Sequence, residues 1–199
     1  MELHENYDAW AAMLAECFGE EAGTRAQMQG LAGTDTLLLR QCGGMLRAYD
    51  RIGGVTAWGD REGVALGCFW DQAAQLGQYL QEELATLAQG IPQETLEAVQ
   101  RNSAEITEAA RPDWYITALG REDVYVLQAI AVRRDRRGTG IFRKLLTPIL
   151  EAARQRGVPV VLQTFEAENV PKYEHLGFRL VERSSSDTMG LTCCNMACP

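Results

Sequence analysis

The sequence predicts an α/β fold of the mixed α+β kind, a mixed sheet with helices on its faces, and three observations predict it. Residues 54–58 and 64–70 are two runs rich in β-branched and aromatic residues around a turn-forming Gly59-Asp-Arg-Glu-Gly63, which reads as a hairpin. Residues 124–176 then alternate strand, helix, strand and short helix. Between them, residues 72–110 are dominated by helix formers.

The elements follow in order. Residues 6–18 space Trp10, Met13, Leu14 and Cys17 at i, i+3, i+4 and i+7, the period of an amphipathic helix. A second helix is expected from Asp35, a good N-cap, to about Tyr49, with Gly43-Gly44 as its weak point. The helical stretch 72–110 is interrupted at Gly90-Ile91-Pro92, so it divides into two helices, closed by Pro112. Residues 114–119 and 124–132 are expected as two strands joined as a hairpin through residues 120–123. A helix is expected over 140–155, a buried strand over 158–164 and a short helix over 170–176 ending at Gly177. Residues 178–183 and 188–196 then pair across Ser184-Ser-Ser-Asp187 as the last two strands.

At 199 residues with 46% hydrophobic content, the chain is expected to form one domain with its own core. No apolar run approaches the ~20 residues that span a bilayer, so no membrane partner is expected. The acidic N-terminus is the opposite of a secretory leader, and a cytoplasmic location follows. The six cysteines lie at irregular spacings and are expected as reduced thiols rather than disulfides or metal ligands, so no metal is expected. A net charge of -8 argues against nucleic acid as a partner. Its distribution says more: residues 131–157 carry eight basic residues against two acids, whereas residues 71–110 carry seven acids against Arg101. One region is suited to an anion and the other to a cation.

Two motifs carry chemistry. The first, Val132-Arg-Arg-Asp-Arg-Arg137-Gly138-Thr139-Gly140-Ile141-Phe142, sits between a strand and a helix. Glycines 138 and 140 permit a sharp turn and close approach of a ligand to the backbone. The amides at the helix start and the Arg137 fork then converge on an anion, as a pyrophosphate cradle would. It is neither a Walker loop nor a complete dinucleotide fingerprint. The second, Asn169-Val-Pro-Lys-Tyr173-Glu-His-Leu-Gly177-Phe178, opens a helix with Asn169 placed to cap it and Pro171 in its first turn. A phenol with a pKa near ~10 stays protonated at neutral pH and is able to act as a general acid.

In this order and spacing the two motifs resemble the GCN5-related N-acetyltransferase (GNAT) superfamily, with the resemblance carried by residues 124–178. More loosely, the whole chain looks like the small-molecule members of the puromycin N-acetyltransferase type. The resemblance implies a central, mostly antiparallel mixed sheet and acetyl-CoA, or another acyl-CoA, as co-substrate. It implies that Arg137 and the backbone of Gly138, Thr139, Gly140, Ile141 and Phe142 hold the pyrophosphate. Ile130, Val132 and Asn169 would contact the pantetheine arm, and Tyr173 would protonate the departing thiolate. An acceptor amine of a small molecule would sit near Trp70, Trp114, Tyr115 and Gln163, drawn by the acidic 72–110 insertion. The chain departs from the family pattern at Phe142, where Gly or Ala is usual, and at Gln163, where relatives often have Glu. It also leaves little room for the usual first strand. Since an amide is no base, a water chain, Glu166 or Glu168 remains, and Glu166 is taken as the base. A protein or peptide acetyltransferase and a non-catalytic acyl-CoA-binding module are the rival readings. The assembly is expected to be a monomer or a homodimer.

Overall fold

The structure is a computed structural model and describes residues 6–199. Three helices come first: α1 (Tyr7–Phe18), α2 (Ala22–Gln27) and α3 (Thr34–Arg51). The hairpin β1 (Val55–Trp58) and β2 (Gly63–Phe69) follows, then α4 (Ala73–Ala88), α5 (Gln93–Ala110) and α6 (Trp114–Leu119). The second half contains β3 (Tyr125–Val132), α7 (Ile141–Gln155), β4 (Val160–Thr164), α8 (Val170–Glu174), β5 (Arg179–Ser186) and β6 (Leu191–Cys198).

The six strands form one sheet in the order β1-β2-β3-β4-β6-β5. Every neighbouring pair is antiparallel except β3 and β4, which run parallel across the α7 crossover. Both faces of the sheet are covered. On one, Leu145, Leu146 and Ile149 of α7 and Tyr173 of α8 pack with Ala65, Leu127, Val160 and Leu162. On the other, Trp10 and Leu14 of α1 and Leu46 and Tyr49 of α3 pack with Val64 and Leu66, while Trp114 of α6 covers Val161 and Ala197. Two-sided burial explains why β2 is apolar along its length instead of alternating with a polar face.

Several expectations change here. Gly43-Gly44 does not weaken α3, which runs unbroken through both residues. A side chain at Gly43 would crowd Arg47 at 3.2 Å, and one at Gly44 would crowd Glu83 of α4 at the same distance, so these glycines are close-packing points. Residues 114–119 are a helix, not a strand. Asp113 accepts the Ile116 amide at 2.9 Å, and Gly120, at φ +66, ends the turn by donating to the Ile116 carbonyl. Residues 120–123 therefore join a helix to β3 and not two strands of a hairpin. The final pair of strands forms as expected but is longer, with Ser184 to Ser186 paired inside β5 and the turn moved to residues 187–190. The short α2 lies in a stretch where no element was expected.

Candidate active site

The site is built where the parallel pair separates. β3 and β4 are registered only from Tyr125↔Val160 to Leu127↔Leu162, after which β3 continues to Val132 without β4 beside it. A cleft of about 900 Å³ opens there, between the ends of these strands, the turn before α7, and α8. That volume lies within the range of about 300–1,000 Å³ typical of small-molecule sites.

The turn has the geometry of an anion cradle. Gly138 and Gly140 have φ of +79 and +83, values that favour glycine, and a Cβ at either position would meet no protein atom within 4 Å. The space above them is the cleft itself. The Lys144 amide bonds back to the Gly140 carbonyl at 3.1 Å, which leaves the amides of Ile141, Phe142 and Arg143 ahead of the ladder of the 15-residue α7. The helix dipole adds its positive end there. Of the basic run, Arg133 is paired with Asp135, Arg134 with Glu20, Arg136 with Glu62 and Arg156 with Asp71. Among the described residues Arg137 has no carboxylate partner; its Nε donates to the Val132 carbonyl at 3.3 Å, on the cleft wall. Thr139 turns away, its hydroxyl donating to the Arg136 carbonyl at 2.6 Å.

Tyr173 lines the same cleft, 7% exposed, its ring against Phe142 at the start of α7 at 5.4 Å and Phe178 at 5.5 Å between centroids. Phe142 thus directs its ring onto the tyrosine and holds it in place. Burial raises the phenol's pKa above its ordinary value, and the charge of Glu21 adds to that, so Tyr173 stays protonated at neutral pH. Asn169 lines the cleft but makes no capping bond. Its Oδ1 accepts from Lys172 at 2.7 Å and its Nδ2 donates to Thr164 Oγ1 at 3.4 Å. Glu166 also lines the cleft, with Oε1 accepting the Ala22 amide of α2 at 2.7 Å.

A second cavity of about 170 Å³ adjoins the cleft, sharing Leu127, Gln128, Leu162, Gln163, Thr164 and Glu21 with it. Trp114 and Tyr115 of α6 close it, and Pro112 and Phe165 add to its rim. Gln163 is held there by two elements: Nε2 donates to the Ala110 carbonyl of α5 and, at 2.8 Å, to Asn195 Oδ1 of β6, while Asn195 donates in turn to Glu182 at 2.9 Å. Trp70 lies outside both cavities, edge-on to Phe69 and beneath the Arg156 guanidinium at 4.5 Å. Although Ala110 of the acidic insertion bonds Gln163, none of the insertion's carboxylates lines either cavity. Glu82 and Glu83 pair with Arg51 and Arg47, and Asp71 with Arg156. The residue that sequence reasoning missed is Glu21; it lies between two short helical segments with no motif around it.

All six cysteines are free thiols. The described residues hold no group of three or more His, Cys, Asp or Glu able to hold a metal ion, and no described helix is long and apolar enough to cross a membrane.

Residues 104–178 match the model of the acetyltransferase (GNAT) family. Over 54 residues the chain is 37% identical to an uncharacterized N-acetyltransferase of Schizosaccharomyces pombe, a stretch covering 27% of this chain and only 22% of that protein. A solved structure described as histone acetyltransferase HPA2 and related acetyltransferase, from Corynebacterium glutamicum, superposes with a TM-score of 0.62, covering 98% of this chain and 91% of its own at 15% identity. An N-acetyltransferase from Staphylococcus aureus gives 0.58, covering 97% and 95% at 15% identity. At that identity the likeness is one of fold.

Proposed function

We propose that this chain, which belongs to the GCN5-related N-acetyltransferase superfamily, moves an acetyl group from acetyl-CoA to the amine of a small molecule by direct attack, with Tyr173 as general acid. The observation that carries the reading is the pairing of an anion cradle with a buried phenol in one cleft. The cradle suits a pyrophosphate because it offers convergent amides, a helix N-terminus and an unpaired guanidinium together. Ile130, Val132 and Asn169 line the same cleft, where a pantetheine arm would run.

Acetyl-CoA supplies the thioester; this chain supplies position and a proton. The splayed strands hold the reacting groups together, which removes much of the entropic barrier of a two-substrate reaction. Tyr173, fixed between Phe142 and Phe178, holds a proton for the leaving sulfur. No covalent enzyme intermediate is required. The small volume of the side cavity, about 170 Å³, favours a compact acceptor over an extended peptide.

A thiol-release assay with several acyl-CoAs and a panel of small amines and peptides tests this, alongside calorimetric CoA binding. Turnover of small amines is expected. Peptide acetylation without small-amine turnover would sink the substrate class, and CoA binding without any turnover would make the chain a binding module.

A further inference from the structure

The cleft and its side cavity share a single carboxylate, Glu21. Its position is fixed by backbone bonds on both sides: its amide donates to the Phe18 carbonyl at 2.9 Å, and its carbonyl accepts from Arg25 at 2.9 Å. The adjacent Ala22 amide is held by Glu166. Glu166 is thereby occupied in tying down the segment, while Glu21 is left at the junction.

The charged groups acting on Glu21 come from four places: Glu166 from the loop after β4, Arg137 from the turn before α7, Lys172 from α8, and Arg25 from α2. Burial first, then Glu166, raise its carboxyl above the usual range, against the pull of the three cations. A carboxylate moved toward neutrality is a better proton acceptor at working pH. Glu21 and Tyr173 line the same cleft, and the charge of Glu21 acts on the phenol.

Resting on the acyl-transfer reading, we propose that Glu21 is the general base and that its acceptor is a small primary ammonium whose body, no larger than about one aromatic ring, sits against Trp114 and Tyr115. The size follows from the cavity: about 170 Å³ here, where an apolar cavity of about 150 Å³ takes one benzene. The charge follows from the lining of the side cavity, whose one charged residue among the described ones is Glu21.

Glu21 takes one proton from the ammonium and passes it to water. The freed nitrogen pair attacks the thioester carbonyl of acetyl-CoA and forms the C–N bond. Collapse of the adduct breaks the C–S bond, with its electron pair leaving on sulfur. Tyr173 protonates that sulfur and regains the second proton shed by the nitrogen. Ammonium and thioester thus give amide, thiol and one released proton.

The test compares benzylamine, an ammonium at neutral pH, with aniline, which is already neutral there. In Glu21→Gln, turnover of benzylamine should fall about 10²–10³-fold, that of aniline much less, and calorimetric affinity for CoA should not change. Glu21→Asp should recover part of the benzylamine rate. Glu166→Gln keeps an oxygen for the Ala22 amide but removes a like charge, so the acid limb of kcat/KM for benzylamine should move to lower pH. Equal losses on both amines, or an acid limb that stays in place in Glu166→Gln, overturns the role of Glu21. If wild-type protein turns over no amine, the acyl-transfer reading itself falls; if Glu21→Gln matches an active wild type, only this assignment falls.

Discussion

The two sides of the cleft are built in opposite ways. The cradle side is local: one turn and one helix start, residues 132–143, supply the glycines, the amides and the guanidinium. The acceptor side is assembled from Glu21, the corner at 112–115, and the facing strands at 126–128 and 161–165. Binding of a fixed anion needs backbone geometry that a short sequence specifies by itself, whereas a pocket for a variable acceptor draws on side chains that only tertiary packing brings together.

The largest effect that would sharpen this contrast belongs to Tyr173, where the two sides meet. Tyr173→Phe keeps the ring between Phe142 and Phe178 and removes only the proton. Single-turnover thiol release should fall about 10²–10⁴-fold, while calorimetric affinity for CoA stays constant. A rate equal to wild type would remove the phenol from the chemistry. Arg137→Ala should act on the opposite parameter. Loss of a charge-assisted bond worth about 1.5–3 kcal/mol raises KM for acetyl-CoA roughly 10–100-fold, with kcat at saturation nearly intact. A fall in kcat with KM unchanged would break the separation of the two sides.

What could be read from the chain follows the same division. The Gly138-Thr-Gly140 turn and the Asn169-x-x-x-Tyr173 spacing are contiguous, so their placement on a strand end and two helix starts was legible, as was the hairpin at 54–70. Trp114 was not. Its alternation with Ile116 resembles a strand, yet Trp114 is 2% exposed and Ile116 40%, because a single helical turn closed by Gly120 sets one inward and the other outward. The serines at 184–186 resemble a turn, but small polar side chains are tolerated on β5, the edge strand of the sheet. Glu21 left no local signal, since its surroundings come from α8, the turn before α7 and the loop after β4. Asn169 was read as a cap and serves instead to bridge Thr164, before the helix, and Lys172, within its first turn.

The wall of the acceptor cavity offers a smaller test through stability. Asn195 is fully buried and links Gln163 to Glu182, which in turn pairs with Arg111 at the end of α5. Asn195→Ala leaves the Gln163 amide with one partner fewer and should cost about 2 kcal/mol, or roughly 4–8 °C in Tm for a chain of this length. Acceptor KM should rise with it while KM for acetyl-CoA does not, because the network meets the wall at Gln163 and bonds to none of residues 137–143 of the cradle. An equal rise in both would mean that the two sides are mechanically joined.

The smallest effect is a contrast between two tryptophans that look alike in sequence. Trp70 is 37% exposed and covered on one face by Arg156, remote from both cavities, whereas Trp114 is buried with its ring closing the acceptor cavity. Trp70→Ala should therefore leave the kinetic constants for both substrates unchanged and at most trim stability through the lost Arg156 contact. Trp114→Leu keeps an apolar cover over Val161 and Ala197 but widens the cavity, so bulkier ammonium acceptors should gain in kcat/KM relative to small ones. Were Trp70→Ala to change acceptor preference instead, the acceptor would have to enter beside α4, on the side where the acidic insertion lies, and Glu21 would stand at the wrong end of the route.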